Sequence, residues 1–223
     1  MKSAETIQRD VVDELAWDPQ VNSSHIAVTV TDGGIVRLDG SVGSYTEKLA
    51  AEKAALRIAG VQAVADELSV KLLPELLWGD ERIAKAAADA LHFNVSVPKD
   101  MVTVTVDGGW ITLAGEVPWN YQRRAAEKAV RVLYGVKGVI NLIVVKAKAD
   151  KGDIKKRIED AYKRSAHIDA EQVRVSVLDD KVFLTGTVSS WAERRQAENA
   201  AWSAPGVASV KNDLKIEVPA RAW

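Results

Sequence analysis

One seven-residue pattern occurs three times in this chain: Val36-Arg37-Leu38-Asp39-Gly40-Ser41-Val42, Ile111-Thr112-Leu113-Ala114-Gly115-Glu116-Val117 and Val182-Phe183-Leu184-Thr185-Gly186-Thr187-Val188. Each copy alternates apolar and polar residues, the period of a strand with one buried face. Each also places a glycine at the third apolar position, which predicts a bulge or a backbone packed too closely for a side chain. A second glycine follows about twenty residues later in Gly-Val-x-x-Val, at Gly60, Gly135 and Gly206. Both glycines recur at offsets of 75 and 71 residues, so the chain is built from internal repeats.

The repeats divide 223 residues into three small modules, 5–72, 80–146 and 152–218, each near the lower size limit for an independent core. A net charge of −1 gives no global field toward nucleic acid, which is not expected as a partner. Repeat two has the largest basic excess, with 9 bases against 6 acids in residues 81–146, and residues 147–223 follow with 14 against 12. The absence of cysteine excludes disulfides and thiolate chemistry. The N-terminal residues are polar and no apolar run reaches the ~20 residues of a membrane span, so the sequence as written predicts a soluble, cytoplasmic protein, peripheral at the inner membrane if it meets one.

In chain order, repeat one predicts a helix with Ile7, Val11 and Leu15 on one face. A hairpin follows, from Ile26, Val28 and Val30 through Asp32-Gly33-Gly34 to Val36 and Leu38. Ser44-Tyr45-Thr46-Glu47 reads as a capping box, opening a helix to about Ala59 with a narrow face of Ala51, Ala54, Ala55 and Ile58. Gly60 ends that helix, and a last strand carries Leu68 and Val70. Repeat two turns at Asp107-Gly108-Gly109; repeat three has the poorer turn Asp179-Asp180 and restores the capping box as Ser190-Trp191-Ala192-Glu193. The order α-β-β-α-β gives an α+β class, each module a three-stranded mixed sheet packed on two helices. The first linker, with Leu72, Leu73, Leu76, Leu77 and Trp78, predicts packing between repeats one and two, which should form the tighter pair; the second, 147–151, is short and charged.

With these elements in place, the chain resembles the BON (bacterial OsmY and nodulation) domain family in three tandem copies. The resemblance rests on Val-x-Leu-x-Gly-x-Val and Gly-Val-x-x-Val at fixed separation. It implies a module that is not an enzyme and carries no cofactor. Family members are associated with osmotic-shock protection, binding of phospholipid or membrane surfaces, and attachment to envelope or secretion assemblies. The well-known members are exported, whereas this sequence shows no export signal. The resemblance also implies that Gly40, Gly115, Gly186, Gly60, Gly135 and Gly206 are structural.

The residues themselves offer no catalytic constellation. His25, His92 and His167 occupy non-equivalent places in the repeats, so no metal site is expected, and no nucleophile elbow or phosphate loop occurs. The candidate surface is the start of each second helix. Tyr45 with Lys48, Trp119 and Tyr121 with Arg123 and Arg124, and Trp191 with Arg194 and Arg195 set aromatics beside bases three times. Bases oppose the helix dipole there, which points to an external anion such as a phosphate head group, with Trp and Tyr at the lipid interface. The alternative is that the aromatics staple the helix entry and the bases form a solvated face. A second surface is the outer face of the hairpins, with Ile35, Trp110 and Phe183, its partner another repeat or an outside ligand. Trp202 and Trp223 have no assigned place. The reading is a non-enzymatic protein binding anionic phospholipid or a membrane surface in osmotic or envelope stress; the alternative is a protein–protein scaffold with self- or partner-binding repeats.

Overall fold

The computed structural model describes residues 2–74, 77–146, 153–165 and 168–217. The second linker, His167 and Trp223 therefore lie outside the described residues, as does Leu76. Repeat one runs α1 (Ala4–Trp17), β1 (Ile26–Val30), β2 (Ile35–Val42), α2 (Tyr45–Ala55) and β3 (Ala63–Val70). Repeat two runs α3 (Asp80–His92), β4 (Val102–Asp107), β5 (Trp110–Val117), α4 (Asn120–Val130) and β6 (Gly138–Val145). Repeat three runs α5 (Ile154–Lys163), β7 (Val173–Leu178), β8 (Lys181–Val188), α6 (Trp191–Trp202), β9 (Ser209–Asn212) and β10 (Lys215–Ile216). The fold is three tandem α+β modules. The contacts gather into two compact units, one of 1–91, 104–112 and 128–140, the other of 92–103, 113–127 and 141–223.

Each sheet is centred on the strand that carries the repeated seven-residue pattern, with orders β1-β2-β3, β4-β5-β6 and β10-β8-β7, β9 also pairing β8. The first two strands are an antiparallel hairpin in repeats one and three, and the last joins in parallel, as the intervening helix requires. The alternation buries Val36, Leu38 and Val42 of β2 against Ile7, Val11 and Leu15 of α1 and the alanines of α2. Repeat three builds the same core from Val182, Leu184 and Val188 with Ile158, Tyr162 and Ala197. Each buried Val, Leu or Ile among them contributes roughly 1.5–3 kcal/mol on leaving water. Ala51, Ala54 and Ala55 are 0% exposed, so the second helix lies close on the sheet because its inward residues are small.

The turns follow their sequences. Gly108 and Gly109 both take positive φ (56° and 86°), as the two-residue hairpin turn demands. Repeat three takes positive φ only at the first residue of its Asp179-Asp180 turn, Asp179 at 55°, a conformation uncommon for a side-chain-bearing residue. The longer loop of repeat one closes with Gly34 N–H donating to the Thr31 carbonyl at 2.9 Å.

Two expectations are corrected. Helix α2 stops at Ala55, not Ala59; Arg57 and Ile58 continue in tighter turns onto the Ala54 and Ala55 carbonyls. Those turns carry Arg57 to Glu14 and Asp18, at 2.7 and 2.8 Å, which ties the end of α2 to α1. In the first linker Leu73 and Leu77 are exposed, while Leu72 and Trp78 are half-buried, the Trp78 ring 3.8 Å under the Arg82 guanidinium and 5.6 Å from Tyr134.

Candidate membrane-facing surface at the second helices

The serines that open α2 and α6 are N-caps, Ser44 Oγ accepting from Glu47 N–H and Ser190 Oγ from Glu193 N–H, each at 3.1 Å. The glutamates reach further than a capping box predicts. Glu47 accepts from Gly43 N–H at 2.7 Å and Asn22 N–H at 2.9 Å. Glu193 accepts from Ser189 N–H and hydroxyl at 2.7 Å and from Asp169 N–H at 2.9 Å. Each carboxylate thus pins its helix start to the loop after the first helix. In α4 the neutral Gln122 makes the local bond, accepting from Trp119 N–H at 3.0 Å.

The bases at these helix starts do different things. Lys48, Arg123 and Arg194 are equivalent positions. Lys48 Nζ donates to the Leu68 carbonyl of β3 at 2.7 Å and lies 3.4 Å from Asp66. Arg194 donates to the carbonyls of Asn212 and Leu214 at 2.6 and 3.2 Å, its guanidinium 5.3 Å from the Trp191 ring. Both close the edge of their own sheet. Arg123 instead lies over the Trp202 ring at 5.0 Å, and burial pulls its pKa below the usual guanidinium value. Trp202, unplaced by the sequence, is thus a platform for a cation of another repeat. Arg124 is hydrogen-bonded to Asn199, so two side chains of α4 meet α6. These contacts join repeats two and three, a pairing the sequence did not indicate.

Of the aromatics, Trp119 and Tyr121 are 39 and 59% exposed, whereas Tyr45 and Trp191 are half-buried. Arg124 and Arg195 are exposed, Arg124 with one guanidinium nitrogen on Asn199. The outward group at repeat two is therefore Trp119, Tyr121 and Arg124. Between Trp119 and Tyr121, Asn120 is buried and its Oδ1 has no hydrogen-bond partner. The second surface is present too: Ile35 and Trp110 are 45 and 49% exposed and Phe183 half-buried, the Trp110 ring lying across Gly138. What the sequence missed is on β6, where Ile140, Leu142 and Val144 are exposed. Their run of apolar neighbours reads as a strand buried on both faces, which hides an exposed row.

Below the helix starts, one acidic contact distinguishes repeat one. Asn141 Nδ2 donates to the Arg123 carbonyl and to Glu127 at 3.2 and 3.0 Å, and Asn212 Nδ2 donates to Glu198 at 3.0 Å. In repeat one the equivalents are Asp66 and Glu52, two acids; burial, and then Asp66, push the Glu52 carboxyl above its ordinary range. An acid whose folded pKa is raised gains stability as pH falls and loses it as pH rises. Asp66→Asn is expected to stabilise repeat one by about 1 kcal/mol at neutral pH, by restoring the amide-to-carboxylate bond, and to weaken that pH dependence, leaving the part that burial causes. Denaturant titrations of both proteins across pH check this; a wild-type curve and variant curve that stay parallel would contradict it.

Among the described residues no group of three or more His, Asp or Glu could hold a metal ion, and no helix is long and apolar enough to cross a membrane. The BON domain family model matches residues 3–71, 79–147 and 150–218. The chain belongs to the BON domain family. Osmotically-inducible protein Y of Escherichia coli (strain K12) is 35% identical over 149 residues, covering 62% of this chain and 73% of that protein. Among solved structures, the C-terminal domain of CdsD, a structural protein of the type III secretion system of Chlamydia trachomatis, covers 97% of this chain and 100% of its own at 14% identity and a TM-score of 0.26. The PrgH periplasmic domain covers 92% and 99% at 10% identity, with a TM-score of 0.23. Likeness at that level says nothing of what these BON domains bind.

Proposed function

We propose that this BON-domain protein is a non-enzymatic binding protein that associates peripherally with anionic phospholipid surfaces in osmotic or envelope stress. The exposure of Trp119 and Tyr121 beside Arg124 at the start of α4 carries the reading. Rings with one polar edge suit the head-group layer, and a guanidinium there pairs with phosphate. The similarity to osmotically-inducible protein Y supports the stress setting. Lys48 and Arg194 bond to their own strands, so repeat two leads, with Arg195 of repeat three as a second contact. Each base near an anionic surface is worth about 1 kcal/mol, so single modules bind weakly and several act together.

Co-sedimentation with phosphatidylcholine vesicles, with and without phosphatidylglycerol, tests this. Binding is expected only with the anionic lipid, to weaken with salt, and to fall about tenfold or more in a Trp119→Ala, Tyr121→Ala, Arg124→Ala variant. Binding to neither vesicle, or equally to both, sinks the proposal.

A further inference from the structure

Asp-Gly-Gly turns occupy the same place in repeats one and two. Gly34 and Gly109 both take positive φ, and their carbonyls accept from Gln62 N–H and Lys137 N–H at 2.8 and 2.9 Å. One residue earlier the two turns part. Gly108 N–H and Gly109 N–H donate to the two oxygens of the Asp80 carboxylate at 2.8 and 2.9 Å. The Gly108 carbonyl also accepts from Lys137 Nζ at 3.0 Å. Repeat one has neither partner. Asp80 opens α3, whereas Ala4 opens α1 and its methyl accepts nothing; Gln62 stands where repeat two has Lys137. Among the described residues no acceptor holds Gly33 N–H. Asp32 and Gly33 are exposed, and a Cβ on Gly33 would meet only Thr31 Oγ1, at 3.8 Å, so the surroundings of this peptide are open.

The structure assigns Asp32–Gly33 as a site of spontaneous backbone modification, isomerisation to isoaspartate, from which Asp80 protects Asp107–Gly108. The Gly33 nitrogen attacks Cγ of the Asp32 side chain in its acid form. An N–Cγ bond forms, the Cγ–OH bond breaks, and the hydroxyl leaves with the amide proton as water, closing a succinimide ring. Water then adds back. Addition at Cγ restores aspartate, whereas addition at the backbone carbonyl breaks the original peptide bond and leaves the chain running through the side-chain methylene. Attack requires the glycine peptide to turn until its nitrogen faces the carboxyl carbon, so in a folded chain the rate follows how readily that peptide opens. In repeat two a carboxylate grips two successive N–H groups with charge-assisted bonds and opposes the turn. In repeat one the Gly34 N–H bond to the Thr31 carbonyl closes the loop but leaves the Gly33 nitrogen unheld. Repeat three has Asp180 after Asp179, which sets a side chain beside the nitrogen where the other repeats have none.

The test is an ageing experiment on the full chain without lipid, so its outcome is independent of membrane binding. Protein held at neutral pH and physiological temperature is digested with trypsin at intervals, which separates the two sites on the peptides 10–37 and 100–123. Electron-transfer fragmentation then distinguishes isoaspartate from aspartate in each. Isoaspartate is expected to accumulate at Asp32 at least severalfold faster than at Asp107. Asp80→Ala is expected to raise the rate at Asp107 to about that at Asp32 while leaving Asp32 unchanged. In denaturant the wild-type sites are expected to react alike, because each is then only an Asp-Gly-Gly sequence. That control keeps the inference testable if Asp80→Ala fails to fold. Equal rates at the two sites in the folded protein, no isoaspartate at Asp32, or an Asp107 that stays slow in denaturant overturns the inference. So does a folded Asp80→Ala variant in which Asp107 reacts no faster than in the wild type.

Discussion

Gly186→Ala is expected to unfold repeat three. Gly186 sits in the middle of β8, paired with Val173, at a φ of 120° that L side chains rarely adopt. A Cβ there would stand 2.0 Å from the Gln172 carbonyl oxygen, which is backbone and held by Thr187 N–H at 3.3 Å, so it has no room to yield. Strained backbone costs about 1–3 kcal/mol and forced overpacking about as much again. Their sum, roughly 2–6 kcal/mol, is comparable to the whole stability of a module this size at roughly 0.05–0.15 kcal/mol per residue. The contrast is Gly79→Ala, where nothing lies within 4 Å and no unusual φ is required; its melting is expected to match wild type. Hydrogen exchange resolves the outcome by segment: amides of β7, β8 and α6 lose protection in Gly186→Ala while those of β1 to β3 keep it. Retained protection in repeat three would show that the backbone can move away from the added methyl. Gly40 and Gly115 stand in the same relation to the His25 and Met101 carbonyls, so the result carries to all three repeats.

That glycine illustrates what the sequence could tell. A glycine inside an alternating pattern has a short list of causes, and the structure selects close approach of a carbonyl. The hairpins, the capping serines and the buried alternation were legible because each depends on residues near in sequence. The destinations of the bases were not. Lys48, Arg123 and Arg194 occupy equivalent positions with equivalent neighbours, yet two bond to strand carbonyls twenty residues or so away and the third is drawn to Trp202. That choice is tertiary, made by which acceptor or ring another element brings within reach. The end of α2 was misplaced for a similar reason: the salt bridges of Arg57 to Glu14 and Asp18 reward a tighter final turn that helix propensity does not foresee. The Arg57 bond to Asp18 also holds that carboxyl below its ordinary range, so the tie belongs to the folded state. The apolar row of β6 was hidden by its own composition, since a strand apolar on both faces looks the same whether one face is covered or not.

Glu193→Ala is the second large effect expected, and it bears on the candidate surface because Glu193 sets where α6 begins. The side chain is 9% exposed and accepts from Asp169 N–H, Ser189 N–H and the Ser189 hydroxyl. Truncation leaves those donors in a half-dry site, and charge-assisted bonds are worth about 1.5–3 kcal/mol each before non-additivity, so a loss of about 3 kcal/mol is expected in denaturant unfolding of repeat three. Glu193→Gln keeps an acceptor oxygen, as Gln122 does in repeat two, and is expected to lose roughly half as much. The pH dependence separates charge from shape. Burial works against the charged form, but the bonds from Asp169 and Ser189 outweigh it and hold the carboxyl below the ordinary glutamate range. An acid with a depressed folded pKa contributes stability that is present above its unfolded value of about 4.3 and is lost as pH falls through the lower folded value. The wild-type advantage over Glu193→Gln should therefore be complete at neutral pH and shrink on acidification below about pH 4. If the difference between the two proteins stays constant from neutral pH into the acid range, the carboxylate charge is not what holds the start of α6 to the Asp169 loop.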